Sequence, residues 1–139
     1  GRRLNLELLR AGGLLHDIAK GQSPNQALEG AKMIRSWGYD AVAEIVSAHT
    51  DITISSDKKI RERDILYLAD KLVQGERMVS LTDRFRAAKE RYADDPEISM
   101  NVERRLQNAL KIQERIESII GITIEECLGY HDFKASQAV

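Results

Sequence analysis

Apolar residues recur at helical spacing along nearly the whole chain. Leu4, Leu8, Leu9, Leu15 and Ile18 form a stripe that runs directly into His16 and Asp17. Gly21 and the Ser23-Pro24 pair interrupt it. Ser23 then predicts an N-cap, with Pro24 at the first helical position and Gln26 completing a capping box. Leu28, Met33, Ile34 and Trp37 supply the apolar face of this second helix, and Gly38 ends it. Asp40 predicts the cap of a third helix through Val42, Ile45 and Val46, which delivers His49 near its C-terminus. Residues 51–58 read as a loop with room for a short extended piece. A fourth helix is expected over residues 60–79, with Ile65, Leu66, Leu68, Leu72 and Val73 around Asp70. Another follows over 83–93 and is stopped by Asp94-Asp95-Pro96. The longest is expected over 97–120, with apolar positions at Leu106, Ala109, Leu110, Ile112, Ile116, Ile119 and Ile120, and Gly121 as its stop. Thr123 and Glu126 make a capping box for a last short helix, and the chain turns polar after Tyr130. With no internal repeat, low-complexity segment or linker, the pattern predicts an all-α bundle of six to seven helices forming one domain over 1–139, with a flexible tail at 131–139.

Composition narrows the function classes. Hydrophobic residues make up 42% of the 139, enough for a packed core and far from a disordered composition. Lys and Arg number 21 against 22 Asp and Glu, so bulk charge offers no footprint for nonspecific DNA or membrane binding. Cys127 is the single cysteine, which excludes an intrachain disulfide and a cysteine-based zinc site. Beside an apolar helix it is expected to be a small buried hydrophobe. No apolar run approaches the roughly 18 residues of a membrane span, and no signal-peptide pattern is present, so a cytoplasmic protein is expected.

The chain has three histidines, and their settings carry the chemistry. His16 and Asp17 close an apolar helix in the string Leu14-Leu15-His16-Asp17-Ile18-Ala19-Lys20. A polar pair there is costly to bury unless it is paired or metallated. Imidazole with carboxylate suits divalent transition metals, Mn or Fe more than calcium, which prefers all-oxygen sites. Lys20 lies four residues after His16 and three after Asp17, on the same helical side, where it could face an anion at the metal. His49 closes the apolar run Val42-Ala43-Glu44-Ile45-Val46-Ser47-Ala48. Asp70 sits within Leu66-Tyr67-Leu68-Ala69-Asp70-Lys71-Leu72-Val73, where a carboxylate needs a cationic partner. Arg77, seven residues on, returns to the same face of the expected helix and is a candidate phosphate contact. Plainer readings stand beside these: a helix-terminal histidine for His49, a salt bridge to Lys71 or Lys20 for Asp70, and surface cations for Lys20 and Arg77. The second dipeptide, His131-Asp132, lies in the polar tail with no apolar stripe beneath it and is not read as a ligand pair.

LLHDIAK at 14–20, AH at 48–49 and LADKL at 68–72 together resemble the HD superfamily of metal-dependent phosphohydrolases, over about residues 8–75. The resemblance implies a helical bundle in which His16, Asp17 and Asp70 are metal ligands. It implies that His49 is a second-metal or substrate ligand and that Lys20 touches substrate phosphate. The cofactor it implies is a divalent ion, one of Mn, Mg, Fe, Co or Ni. The substrate would be a phosphorylated small molecule or nucleotide, cleaved with Asp17, Lys20 and His49 as the catalytic groups and Lys20 and Arg77 binding substrate. GAKMIRSWGYDAVAEIVSAH and LADKLVQGERMVSLTDRFRAAKERY are similar to HD domains attached to molybdenum-cofactor nucleotidyltransferase-like domains. A homodimer or a fused upstream domain is therefore an open partner.

Two positions depart from the family pattern. The first family histidine belongs one helix upstream of the pair, and no histidine precedes His16. The resemblance then implies either a longer protein, the reading favoured here, in which an extended chain would be the better enzyme, or a degenerate module that binds metal or nucleotide without turnover. Gln26 stands in the region where many dinuclear relatives carry a histidine, and with the missing first histidine this implies one ion or weak binding rather than a tight dinuclear centre.

Overall fold

A computed structural model describes residues 3–21 and 24–129. The Ser23 cap, the His131-Asp132 pair and the tail after Gly129 lie outside the described residues. The architecture is all-α: α1 (Leu6–Leu15), α2 (Gln26–Ser36), α3 (Asp40–Ser47), α4 (Glu62–Lys71), α5 (Leu81–Arg91), α6 (Pro96–Ile120) and α7 (Ile124–Leu128), with one short hairpin, β1 (Val73–Gln74) and β2 (Arg77–Met78), between α4 and α5. The chain divides into two compact units, residues 1–53 with 59–67, and residues 54–58 with 68–139.

In the first unit, α1 starts where the Asn5 side chain accepts from the Leu8 amide, satisfying one of the orphan donors of the first turn. Glu62, at the start of α4, accepts from the Asn5 amide at 2.8 Å. The core of this unit is Ala31, Ile34, Ala43 and Val46, with Leu15, Ile18 and Val42 packed against it. Small residues on α2 let the neighbouring backbone approach: Ala27, Gly30 and Ala31 are buried, and a Cβ on Gly30 would meet Ile18 at 3.3 Å. Gly12 does the same for α1. A Cβ there would collide with the Ile45 side chain and lie 3.3 Å from Leu66. Gly12→Val should therefore destabilise by about 1–3 kcal/mol, the range for overpacking a filled core. An unchanged urea midpoint would show that Ile45 has room to move aside.

Several expected boundaries shift. Helix α2 begins after Asn25, so Pro24 precedes it instead of opening it, and Gln26 reaches back to the Gly21 amide at 3.4 Å. Tyr39, not Asp40, is the N-cap of α3, and no side chain caps that end. On α2 the expected apolar face is rotated: Ile34 is 0% exposed, but Leu28 and Trp37 are 54% and 51% exposed. The small residues provide the close-packed face, which a count of large apolar residues overlooks.

The second unit corrects the fourth helix. It ends at Lys71, because Val73 and Gln74 pair antiparallel with Met78 and Arg77 around Gly75-Glu76. Gly75 has φ +64°, the left-handed backbone that a two-residue hairpin turn requires at its first central position. Arg77 is thus an exposed residue on β2 and does not return to the Asp70 face of a helix. Ser80 caps α5 and Asp95 caps α6, each accepting from the amide three residues on. Pro96 sits at the first position of α6, and Gly121 closes it at φ +76°. Val102, Leu106, Ala109 and Ile112 form its buried face, whereas Leu110, Ile119 and Ile120, expected there too, are exposed. Thr123 caps α7 as expected, but Cys127 is exposed instead of buried.

Candidate metal centre

Helix α1 stops at Leu15, and residues 16–21 continue as turns with three-residue spacing: Ile18 donates to the Leu15 carbonyl and Lys20 to that of Asp17. The change in pitch comes with a side-chain substitution for the helix ladder. The His16 ring nitrogen Nδ1 lies 2.7 Å from the Gly13 carbonyl, one of the terminal acceptors that an α-helix leaves open. His49 repeats this beyond α3, with Nδ1 2.6 Å from the Val46 carbonyl. A carbonyl can only accept, so Nδ1 carries the proton on both rings and, in the neutral form, Nε2 carries the lone pair.

Both Nε2 atoms face Asp17. That of His16 is 3.3 Å from Oδ2, and that of His49 is 3.8 Å from Oδ1. The two rings stand edge to face, with centroids 5.0 Å apart. With neutral rings, two lone pairs converge on one carboxylate, an arrangement that repels until a proton or a metal cation stands between them. The ends of α1 and α3 add to this, since the C-terminus of a helix carries roughly half a negative charge and favours a cation. His49 is buried at 2% exposure, whereas Asp17 is half-exposed and open to a ligand from solvent. The donor set, the tautomers and the local field all fit a divalent transition metal.

Asp70 lies on the last turn of α4, partly buried, with Lys71 Nζ 3.3 Å from its Oδ2. Lys20 is exposed and, among the described residues, makes no ion pair. The three-residue spacing of its turn removes the α-helical relation to His16 on which its placement rested.

Lys71, expected only as a salt-bridge partner of Asp70, is itself buried at the end of α4. Its signal was a lysine inside an apolar run, flanked by Leu68 and Leu72, both buried. Burial pushes its ammonium down to about 8, against the ion pair and hydrogen bond to Asp70, with Arg105 and Arg84 adding to the depression. The unfolded lysine titrates near 10.5. Between these values the unfolded chain holds a proton that the folded protein has released, so this group's contribution to stability rises with pH from about 8 to 10.5 and is lowest below 8. The stability of the native protein minus that of Lys71→Met should thus climb across that window, by on the order of 3 kcal/mol. A difference that stays flat with pH would mean that Lys71 is solvated.

A helical domain presenting a His-Asp pair, a second histidine and a distant aspartate defines a class of metal-binding protein. The family model of the HD domain matches residues 1–87, and the chain belongs to the HD-domain family. Members of this family are in general metal-dependent phosphohydrolases that bind divalent metals. No curated protein and no solved structure matches the chain. Among the described residues, no helix is long and apolar enough to cross a membrane.

Proposed function

We propose that this protein hydrolyses a phosphoester or phosphoanhydride, with a nucleotide as the favoured substrate class, using one divalent ion held by His16 and Asp17, with Asp70 as the third ligand that the resemblance to the HD family implies. The observation that carries the proposal is the convergence of the His16 and His49 Nε2 atoms on the Asp17 carboxylate, which calls for a cation. A divalent ion supplies polarisation of a phosphoryl oxygen and acidification of a water for in-line attack. The protein's own groups hold and orient. The Gly13 and Val46 carbonyls fix the two tautomers, so no ring rotation is needed on binding. Lys71 Nζ lies 3.3 Å from Asp70 Oδ2. The buried His49 is positioned to orient substrate, and Lys20, in the turn after Asp17, supplies positive charge to phosphate. Arg77 is given no role. Placement in the branch attached to molybdenum-cofactor nucleotidyltransferase-like domains rests on the two sequence stretches alone and belongs to the same proposal.

The test is turnover of an activated phosphoester with and without Mn²⁺. Cleavage should require the added ion and stop with chelator. Gln26, engaged with the Gly21 amide, favours a second reading as a binding module. In that case Mn²⁺ would raise the melting temperature by linkage with no turnover. Neither effect would end the metal-centre reading.

A further inference from the structure

The second unit holds a cavity of about 390 Å³ lined by Lys58, Lys111, Glu114, Arg115, Ser118 and Ile119. Lys111, Glu114, Arg115 and Ser118 are spaced three, four and seven residues along α6, so they share one face of that helix. Lys58 comes to it from the loop before α4. Three cations thus border one cavity against a single carboxylate. Among the described residues, none of Lys58, Lys111, Glu114 and Arg115 forms an ion pair or a side-chain hydrogen bond, although Glu114 stands in the same lining as the three cations. Stabilisation of the helix end does not explain them. The pull of the α6 C-terminus fades within its last turn, and Lys111 and Arg115 lie more than one turn before Ile120.

Lys58 adds an independent observation. Among the described residues it is the only non-glycine with positive φ, at +60°. L side chains rarely adopt this backbone, and glycine or asparagine would hold it more easily. A long cationic side chain kept in such a position points to use of the side chain.

We propose that this cavity is a binding site for a small molecule bearing a phosphoryl dianion, separate in its residues from the His-Asp centre. Lys58, Lys111 and Arg115 supply charge to the phosphoryl oxygens, with arginine offering the two-pronged donor geometry that phosphate matches. Ser118 supplies a hydroxyl, and the exposed Ile119 an apolar edge for the rest of the molecule. The volume is that of a small-ligand pocket.

The experiment is calorimetric titration of the whole chain with ADP in chelator, so that no metal-dependent binding contributes. Saturable binding is expected, weakened about tenfold by Lys111→Gln or Arg115→Gln, the equivalent of about 1.4 kcal/mol for a lost charge-assisted contact. Glu114→Gln should act oppositely and tighten binding. Lys58→Gly should weaken binding while leaving the melting temperature unchanged or higher. The proposal is overturned if ADP does not bind, if matched ionic strength from NaCl abolishes the difference between native protein and Arg115→Gln, or if the four variants bind alike. Because none of these residues belongs to the metal centre, failure here leaves the hydrolase reading standing, and loss of Mn²⁺-dependent turnover leaves this one standing.

Discussion

Asp17→Ala should lower Mn²⁺-dependent turnover by at least about a hundredfold, the loss expected when a Lewis acid worth several kcal/mol is no longer held. Asp17 is the carboxylate on which both imidazoles converge, with Nε2 distances of 3.3 and 3.8 Å. Removing it deletes a ligand and the partner of two rings at once, but no core contact. The side chain is half-exposed, so the urea midpoint without metal should change by no more than about 1 kcal/mol. The comparison with Lys20→Ala separates holding the ion from holding the substrate. That variant should keep its metal affinity and raise KM severalfold, since lysine lends charge to phosphate and none to the ion. Full turnover in Asp17→Ala would mean that the reaction, if present, occurs elsewhere in the molecule.

Ile34→Ala should cost about 2–5 kcal/mol, the range for truncating a fully buried aliphatic side chain. Ile34 packs with Ala31, Ala43 and Val46, and these three neighbours are too small or too stiff to refill the space. The consequence reaches the site. Val46 supplies the carbonyl that holds His49, and Leu15, packed on the same cluster, immediately precedes His16. The variant should therefore bind Mn²⁺ more weakly as well as unfold at lower urea. Trp37→Ala is the control: the larger side chain is half-exposed and should cost less than about 1 kcal/mol. Equal losses in the two variants would mean that the packed face of α2 is not the one described.

What was legible from residues alone follows from local physics. Helix periodicity, the Asp94-Asp95-Pro96 stop, the Gly121 stop and the Thr123 cap depend on a few neighbouring residues, and the structure places them as the sequence predicts, with Asp95 and Pro96 also opening α6. The His16-Asp17 pair and Asp70 were legible because a charge inside an apolar run needs a reason, and an apolar run is visible without a fold. The short hairpin was not legible. Val73 to Met78 carries a helix-compatible pattern, and what overrides it is a backbone pairing around Gly75 that helical spacing does not encode. The mistaken role for Arg77 followed directly from that. The rotated face of α2 was missed for a different reason: burial there is set by how closely α3 and Ile18 approach, which favours Gly30 and Ala31 over Leu28 and Trp37. Sequence by itself singled out His16, Asp17, His49 and Asp70 as candidate ligands. Only tertiary structure decided their tautomers and aim, because these depend on carbonyls left open where α1 and α3 end, and a helix end is placed by packing.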